Sequence, residues 1–221
     1  MSWFKSYLSD RKQFVEIDGV KSSVQNINTG VPQGSTLGPL LFILYMNDIN
    51  HASDILKSIL FADDTLLNTT LSIFPTTKSN CINNELSKIT EWLRANKLSL
   101  NVKKTKYMIF RYSQTPITNI PKLDLKMNDM PIEKVDSFNF LGLTITGTLS
   151  WKLHIEKIAI KLSKVIGTMR RIKNLVKSNI LFKLYNTLIL SHLHYGILCW
   201  GFSAHKLFRI QKKAIRIISY L

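Results

Sequence analysis

Ile59-Leu60-Phe61-Ala62-Asp63-Asp64-Thr65-Leu66-Leu67 reads as two short apolar strands broken by a pair of adjacent carboxylates, the pattern of a tight hairpin with an acidic tip. Two neighbouring carboxylates repel each other and gain little from folding unless a cation or a basic group sits between them. Oxygen donors of this kind suit Mg²⁺, which is held by one or two carboxylates and keeps several waters. Taken alone the pair is weak evidence, because Asp is a common turn residue.

The flanks set this tip in a mixed α+β pattern. Trp3, Phe4, Tyr7 and Leu8 recur at helical spacing, and Lys12–Ile17 and Ser22–Ile27 flank Asp18-Gly19, a short-range hairpin signal. A polar loop from Asn28 to Ser35 leads into the helix-length apolar run Leu37–Ile49. Beyond the acidic tip, Ile82, Leu86, Ile89 and Leu93 predict a helix. Leu98–Phe110 predicts a strand interrupted at Asn101–Thr105, and Leu123, Leu125 and Met127 alternate. Phe138–Ile145 forms an apolar strand pair around Gly142. After Trp151 strand signals stop. Ile158, Leu162, Val165, Met169, Ile172 and Val176 predict one long helix, Ser178 is placed to cap a second, and Leu207, Ile210, Ala214, Ile217 and Leu221 mark a third.

Charge follows the same division. The 221 residues carry 30 Lys and Arg against 14 Asp and Glu, a net of +16. Residues 1–80 hold 6 basic and 7 acidic side chains, whereas residues 150–221 hold 14 basic side chains and the single acid Glu156. A basic excess confined to one region points to a polyanionic partner, nucleic acid above all. With 45% apolar residues the chain can bury a core, which excludes wholesale disorder. Two cysteines, Cys81 and Cys199, exclude a disulfide framework and a four-thiolate zinc site. His154, His192, His194 and His205 make no zinc pattern with them. The start lacks a signal peptide and Ile180–Trp200 is too polar for a membrane span, so an intracellular protein, nuclear or cytoplasmic, is expected, without a membrane partner.

Four segments then occur in a telling order: Gly30-Val31-Pro32-Gln33-Gly34-Ser35-Thr36-Leu37-Gly38-Pro39-Leu40-Leu41-Phe42, Phe61-Ala62-Asp63-Asp64, Leu98-Ser99-Leu100-Asn101-Val102-Lys103-Lys104-Thr105-Lys106, and Phe140-Leu141-Gly142-Leu143. Together they resemble the palm motifs of reverse transcriptases, and Ala62 between the aromatic and the first Asp resembles the non-LTR (LINE-type) retrotransposon branch. Leu149-Ser150-Trp151-Lys152-Leu153-His154-Ile155 and Tyr195-Gly196 ahead of Trp200 are similar to that branch's thumb and the helices after it. The resemblance implies an incomplete right-hand polymerase palm over residues 1–147, an antiparallel sheet with helices, followed by a basic all-helical thumb-like module over 148–221. It implies RNA-directed DNA polymerisation, with an RNA template, a DNA primer and deoxynucleoside triphosphates as partners.

Site residues follow from the same motifs. Asp63 corresponds to a metal-ligating carboxylate and Asp64 to its less direct neighbour, in a two-metal Mg²⁺ site for which Mn²⁺ is an alternative. Two such ions about 3.5–4 Å apart activate the attacking 3′-oxygen and stabilise the leaving pyrophosphate. Pro32, Gln33, Gly34 and Ser35 correspond to the loop under the template base and incoming nucleotide. Lys104 stands where a lysine steadies the departing pyrophosphate, while Lys103 and Lys106 read as solvated or phosphate-neutralising. Phe140, Leu141 and Gly142 resemble the primer grip. Lys157, Lys161, Lys164 and Arg171, and then Lys206, Arg209, Lys213 and Arg216, follow one face of each basic helix and suit phosphate contacts along a duplex.

One departure bears on activity. In the family a first catalytic Asp lies on a strand before the helix that precedes the Asp18-Gly19 hairpin, and here the chain begins inside that helix. Glu16, Asp18 and Asp48 read as turn or structural residues, not as substitutes. The expectation is a chain inactive by itself, completed by the amino-terminal fingers and palm segment of a longer polyprotein. The alternative is a non-catalytic nucleic-acid-binding protein or a retrotransposon relic that keeps the basic thumb.

Overall fold

The computed structural model describes residues 2–28, 30–32, 34–71, 78–116 and 120–219. Helix α1 (Ser2–Leu8) precedes four short strands, β1 (Arg11–Gln13), β2 (Glu16–Ile17), β3 (Val20–Lys21) and β4 (Gln25–Ile27). They nest as one antiparallel arm, β2 on β3 inside β1 on β4, with Arg11 opposite Ile27. Asp18 and Gly19 at its turn have φ of 50° and 80°, the positive pair that a two-residue hairpin loop requires. Helix α2 (Leu37–Met46) runs into a 3₁₀ turn (Asn47–Ala52), and β5 (Lys57–Phe61) pairs antiparallel with β6 (Asp64–Asn68). Helix α3 (Lys78–Ala95) follows.

The later strands are short: β7 (Lys106–Tyr107), β8 (Lys126–Met127), β9 (Met130–Pro131), β10 (Glu133–Lys134), β11 (Ser137–Phe140) and β12 (Leu143–Thr146). β7 lies parallel to β10, and β11 pairs with β12 with Phe140 opposite Leu143. The described strands thus form six two-stranded pairs. Of the strand expected over Leu98–Phe110, only Lys106–Tyr107 pairs, and Leu98–Leu100 runs irregularly. The reason is local. The Asn101 carbonyl accepts from Lys104 N and Thr105 N, each at 3.1 Å, which folds the segment into a turn around the buried Val102.

Helix α4 (Lys152–Ile172) is followed by α5 (Ser178–Tyr185), a single π turn (Asn186–Leu190), α6 (Ser191–His194), α7 (Ile197–Trp200) and α8 (His205–Ser219). Ser178, expected to cap α5, is instead its first residue, and the extended Lys177 (ψ 151°) occupies the cap position without a side-chain bond. The helical core forms where the apolar stripes of α4 and α8 meet α5, with Leu162, Met169, Leu181, Ile189, Leu207 and Ala214 all essentially inaccessible. Burying such a leucine or isoleucine side chain is worth about 1.5–3 kcal/mol.

Contacts divide the chain into two units, Met1–Leu100 with Leu125–Met130, and Asn101–Asp124 with Pro131–Leu221. Hairpin β11–β12 thus shares a unit with the helices rather than with the acidic tip. The cause lies in its bonds: Thr144 N donates to His154 Nδ1 at 3.2 Å, and Lys157 Nζ donates to Thr144 Oγ1 at 3.2 Å.

Candidate functional site

The acidic tip sits on hairpin β5–β6, and its placement is decided at the hairpin's base. Asn50 Oδ1, on the 3₁₀ turn, accepts from both Ser58 N (3.1 Å) and Ser58 Oγ (2.6 Å). Asn68 Nδ2 closes the other strand onto Lys57 O at 3.0 Å. Ser53 is buried, takes the Leu56 amide at 2.9 Å and donates to the equally buried Glu85 of α3 at 2.5 Å. Lys88 Nζ stands 2.7 Å from the other Glu85 oxygen. This bond and that of Ser53 hold the Glu85 carboxyl below the usual carboxylate range against the opposing effect of burial. Nothing in the sequence joins Ser53 to Glu85, 32 residues apart; only folding does.

At the tip itself, the turn is Ala62-Asp63, and Asp64 is already the first residue of β6, opposite Phe61. Ala62 has φ of 50°, a left-handed conformation that costs a side-chain-bearing residue about 1–3 kcal/mol and clusters at functional sites. Asp63 and Asp64 are both exposed. Among the described residues no group of three or more His, Cys, Asp or Glu side chains could hold a metal ion. The hard, accessible oxygens of Asp63 and Asp64 fit a divalent cation that keeps waters or substrate phosphates. Two adjacent carboxylates on one turn do not by themselves surround two ions. Of the acids weighed as substitutes, Glu16 lies 3.7 Å from Lys21, Asp18 forms a turn and Asp48 lies in the 3₁₀ turn.

The loop before α2 has Gly30 and Gly34 at φ of 77° and 79°. Ser35 Oγ donates to Pro32 O (2.7 Å) and accepts from Gly38 N (3.0 Å), so it caps the entry to α2. Gly38 matters as much: a Cβ there would sit 3.0 Å from Ser35 Oγ and 3.2 Å from Pro32 O. Gln33 lies outside the described residues. Helix α2 is apolar on every side, yet Leu40, Ile43 and Leu44 are more than half exposed.

Lys104 is exposed on the Asn101–Thr105 turn, whereas Lys106 is ion-paired with Glu133. Leu141 and Gly142 form the β11–β12 turn at φ of 48° and 78°, and Phe140 is half-buried. Lys157, Lys161, Lys164 and Arg171 are all exposed on α4, as are Lys206, Arg209, Lys213 and Arg216 on α8. One lysine from each row, Lys164 and Lys206, lines a shallow groove of about 420 Å³ together with Ala159, Ile160 and Ser163. Lys157 differs from its row, since it is spent on Thr144. His154 is buried between Trp151 and Trp200, at ring separations of 6.0 and 5.9 Å. Burial, and then the charge of Lys157, pushes its pKa down. The sequence places His154 in a thumb-like segment, but its bond to Thr144 is visible only in the fold. No helix among the described residues is long and apolar enough to cross a membrane.

Comparison with known proteins identifies this assembly. The family model for reverse transcriptase (RNA-dependent DNA polymerase) matches residues 1–145. Over 97% of its length the chain is 28% identical to the RNA-directed DNA polymerase from mobile element jockey of Drosophila melanogaster, covering 24% of that protein. It is equally similar, at 28% over 97% of the chain, to the probable RNA-directed DNA polymerase from transposon X-element of the same fly, again covering 24%. The chain therefore spans about a quarter of the length of these curated relatives. No solved structure matches. With a family model covering well over half its residues and mobile-element polymerases as its relatives, the chain belongs to the reverse transcriptase (RNA-dependent DNA polymerase) family, in the non-LTR, LINE-type retrotransposon branch.

Proposed function

We propose that this chain is the carboxy-terminal palm and the thumb of an RNA-directed DNA polymerase that extends a DNA primer on an RNA template. The observation that carries the reading is the strained acidic turn Ala62-Asp63-Asp64, set on an anchored hairpin inside the segment matched by the family model. Asp63, with Asp64 beside it, would hold Mg²⁺, or Mn²⁺ in its place. When bound, the ion activates the primer hydroxyl and neutralises the leaving pyrophosphate. The chain's own groups do the rest. The Pro32–Ser35 loop, with Gln33, bears on the template base and incoming nucleotide. Lys104, exposed on its turn, offers a cation to the departing phosphates. Phe140, Leu141 and Gly142 set the primer end, and the rows on α4 and α8 neutralise duplex phosphates.

Because two carboxylates on one turn fall short of a two-ion cage, we propose that a further carboxylate comes from polypeptide outside these 221 residues. The chain by itself is then inactive. The test is primer extension on an RNA template with Mg²⁺ and four deoxynucleotides, by this chain and by a longer protein that includes the preceding fingers and palm. The longer protein extends the primer, Asp63→Asn abolishes extension, and the 221-residue chain gives none. Extension by the longer protein that survives Asp63→Asn refutes the site.

A second reading is favoured by the basic rows of α4 and α8: a binding protein without catalysis. Salt-sensitive, sequence-tolerant duplex binding with no extension by the longer protein would select it.

A further inference from the structure

We propose that Tyr195 and Gly196, at the corner between α6 and α7, are positioning residues that fix the Leu141-Gly142 tip of hairpin β11–β12. The inference rests on the reading of that tip as the element that meets the primer end.

Three contacts from two adjacent residues converge on the tip. The Tyr195 hydroxyl donates to the Leu141 carbonyl across 54 residues of sequence. The same ring closes over Gly142, where an added Cβ would stand 3.2 Å from Tyr195 Cε1. Gly196 lies against the next residue, and a Cβ there would come within 2.7 Å of Leu143 Cδ2. Gly196 also has φ of 64°, so both space and backbone conformation call for glycine.

The corner is itself anchored. Trp200, 1% exposed, donates its indole N–H to the Tyr195 carbonyl at 3.0 Å, and the Gly196 carbonyl accepts from Cys199 N at 2.8 Å. The hairpin needs such support. An isolated two-stranded ribbon is marginal in water. Leu141, moreover, is a side-chain-bearing residue at positive φ, a conformation that persists where surrounding contacts impose it. The two-residue turn requires it, and the Tyr195 bond to the Leu141 carbonyl supports it here. His154 and Lys157 hold the middle of β12 through Thr144, which leaves the tip to the Tyr195-Gly196 corner. The pair thus turns a rigid helical corner into a stop for the hairpin, and sets where the tip meets a bound polynucleotide end.

Tyr195→Phe removes only the hydroxyl, whereas Gly196→Ala fills the space against Leu143 and also strains the left-handed backbone. Amide hydrogen exchange of the full chain should rise about five- to tenfold within residues 139–144 in Tyr195→Phe, the factor carried by one lost hydrogen bond. Rates in α4 and α8 should stay unchanged. A primer–template duplex with 2-aminopurine as the primer's terminal base supplies the second readout. Wild type should alter the fluorescence of that base, and both variants should lose the response while duplex affinity stays within about twofold. Unchanged exchange in both variants overturns the proposal, and so does a uniform rise through the helices with a parallel loss of affinity. A wild-type complex that leaves the terminal base unperturbed refutes the primer-end reading instead, and the exchange rates of residues 139–144 then decide the clamp by themselves.

Discussion

Glu85→Gln tests the claim that the acidic tip is placed by a buried carboxylate at the base of its hairpin. In the wild type Glu85 is 6% exposed and receives the Ser53 hydroxyl at 2.5 Å, while Ser53 also takes the Leu56 amide. A hydrogen bond to a charged group contributes about 1.5–3 kcal/mol, and a neutral one about half of that. Lys88 is more than half exposed, and solvent screening leaves its share out of the reckoning. Glutamine keeps the shape and a neutral acceptor, so the expected loss is about 1–1.5 kcal/mol at neutral pH. For a chain of this length that corresponds to a fall of roughly 2–6 °C in melting midpoint.

The pH dependence discriminates the mechanism. The Glu85 carboxyl is held below its ordinary 4.5, so the unfolded chain takes up its proton first as pH falls. The stabilisation is complete above about pH 4.5 and is lost as pH falls through the lower folded value. Urea melts of wild type and Glu85→Gln at several pH values should therefore differ at pH 7 and converge in acid. A difference that stays constant down to about pH 3, or that is absent at pH 7, refutes the reasoning.

Three further outcomes follow from the geometry. Gly147→Ala would place a Cβ 2.8 Å from the Ile109 carbonyl; the backbone must shift, and urea melts should show a loss of about 1–3 kcal/mol. His154 is held neutral by burial and by Lys157, so the unfolded chain binds its proton more readily: thermal midpoints of the wild type should be level above about pH 6.5 and decline below it, with His154→Gln showing a shallower decline. Replacing Lys164 and Lys206 together by Gln should lower the slope of log affinity against log salt by about 1.8 for duplex DNA and weaken all sequences alike, as anisotropy titrations would show.

Much of this protein was legible in one dimension because its cues are local. The Asp18-Gly19 turn, the two short strands around the acidic pair and the 3.6-residue stripes of α3, α4 and α8 depend on neighbours a few residues away, and the folded chain forms them. Where local cues compete, the sequence misled. Leu98–Leu100 has strand composition, yet Asn101 draws the following amides into a turn, and Ser178 has capping chemistry while Lys177 takes the cap position. Motif order identified the family, since four ordered segments are a one-dimensional signal.

What tertiary structure alone decided are the long-range polar bonds. Ser53 meets Glu85, Thr144 meets His154, and Tyr195 meets Leu141 at separations of 32, 10 and 54 residues. None of these residues has a side chain whose type dictates its partner; each is fixed by packing that brings distant backbone together, and at Ser53–Glu85 and Thr144–His154 that packing leaves a buried polar group no other way to be satisfied. The sequence by itself determined which carboxylates, lysines and glycines the protein owns. Folding decided that Lys157 is spent on Thr144 while Lys164 and Lys206 share one groove, because a helix face acquires a direction only when its apolar stripe is buried.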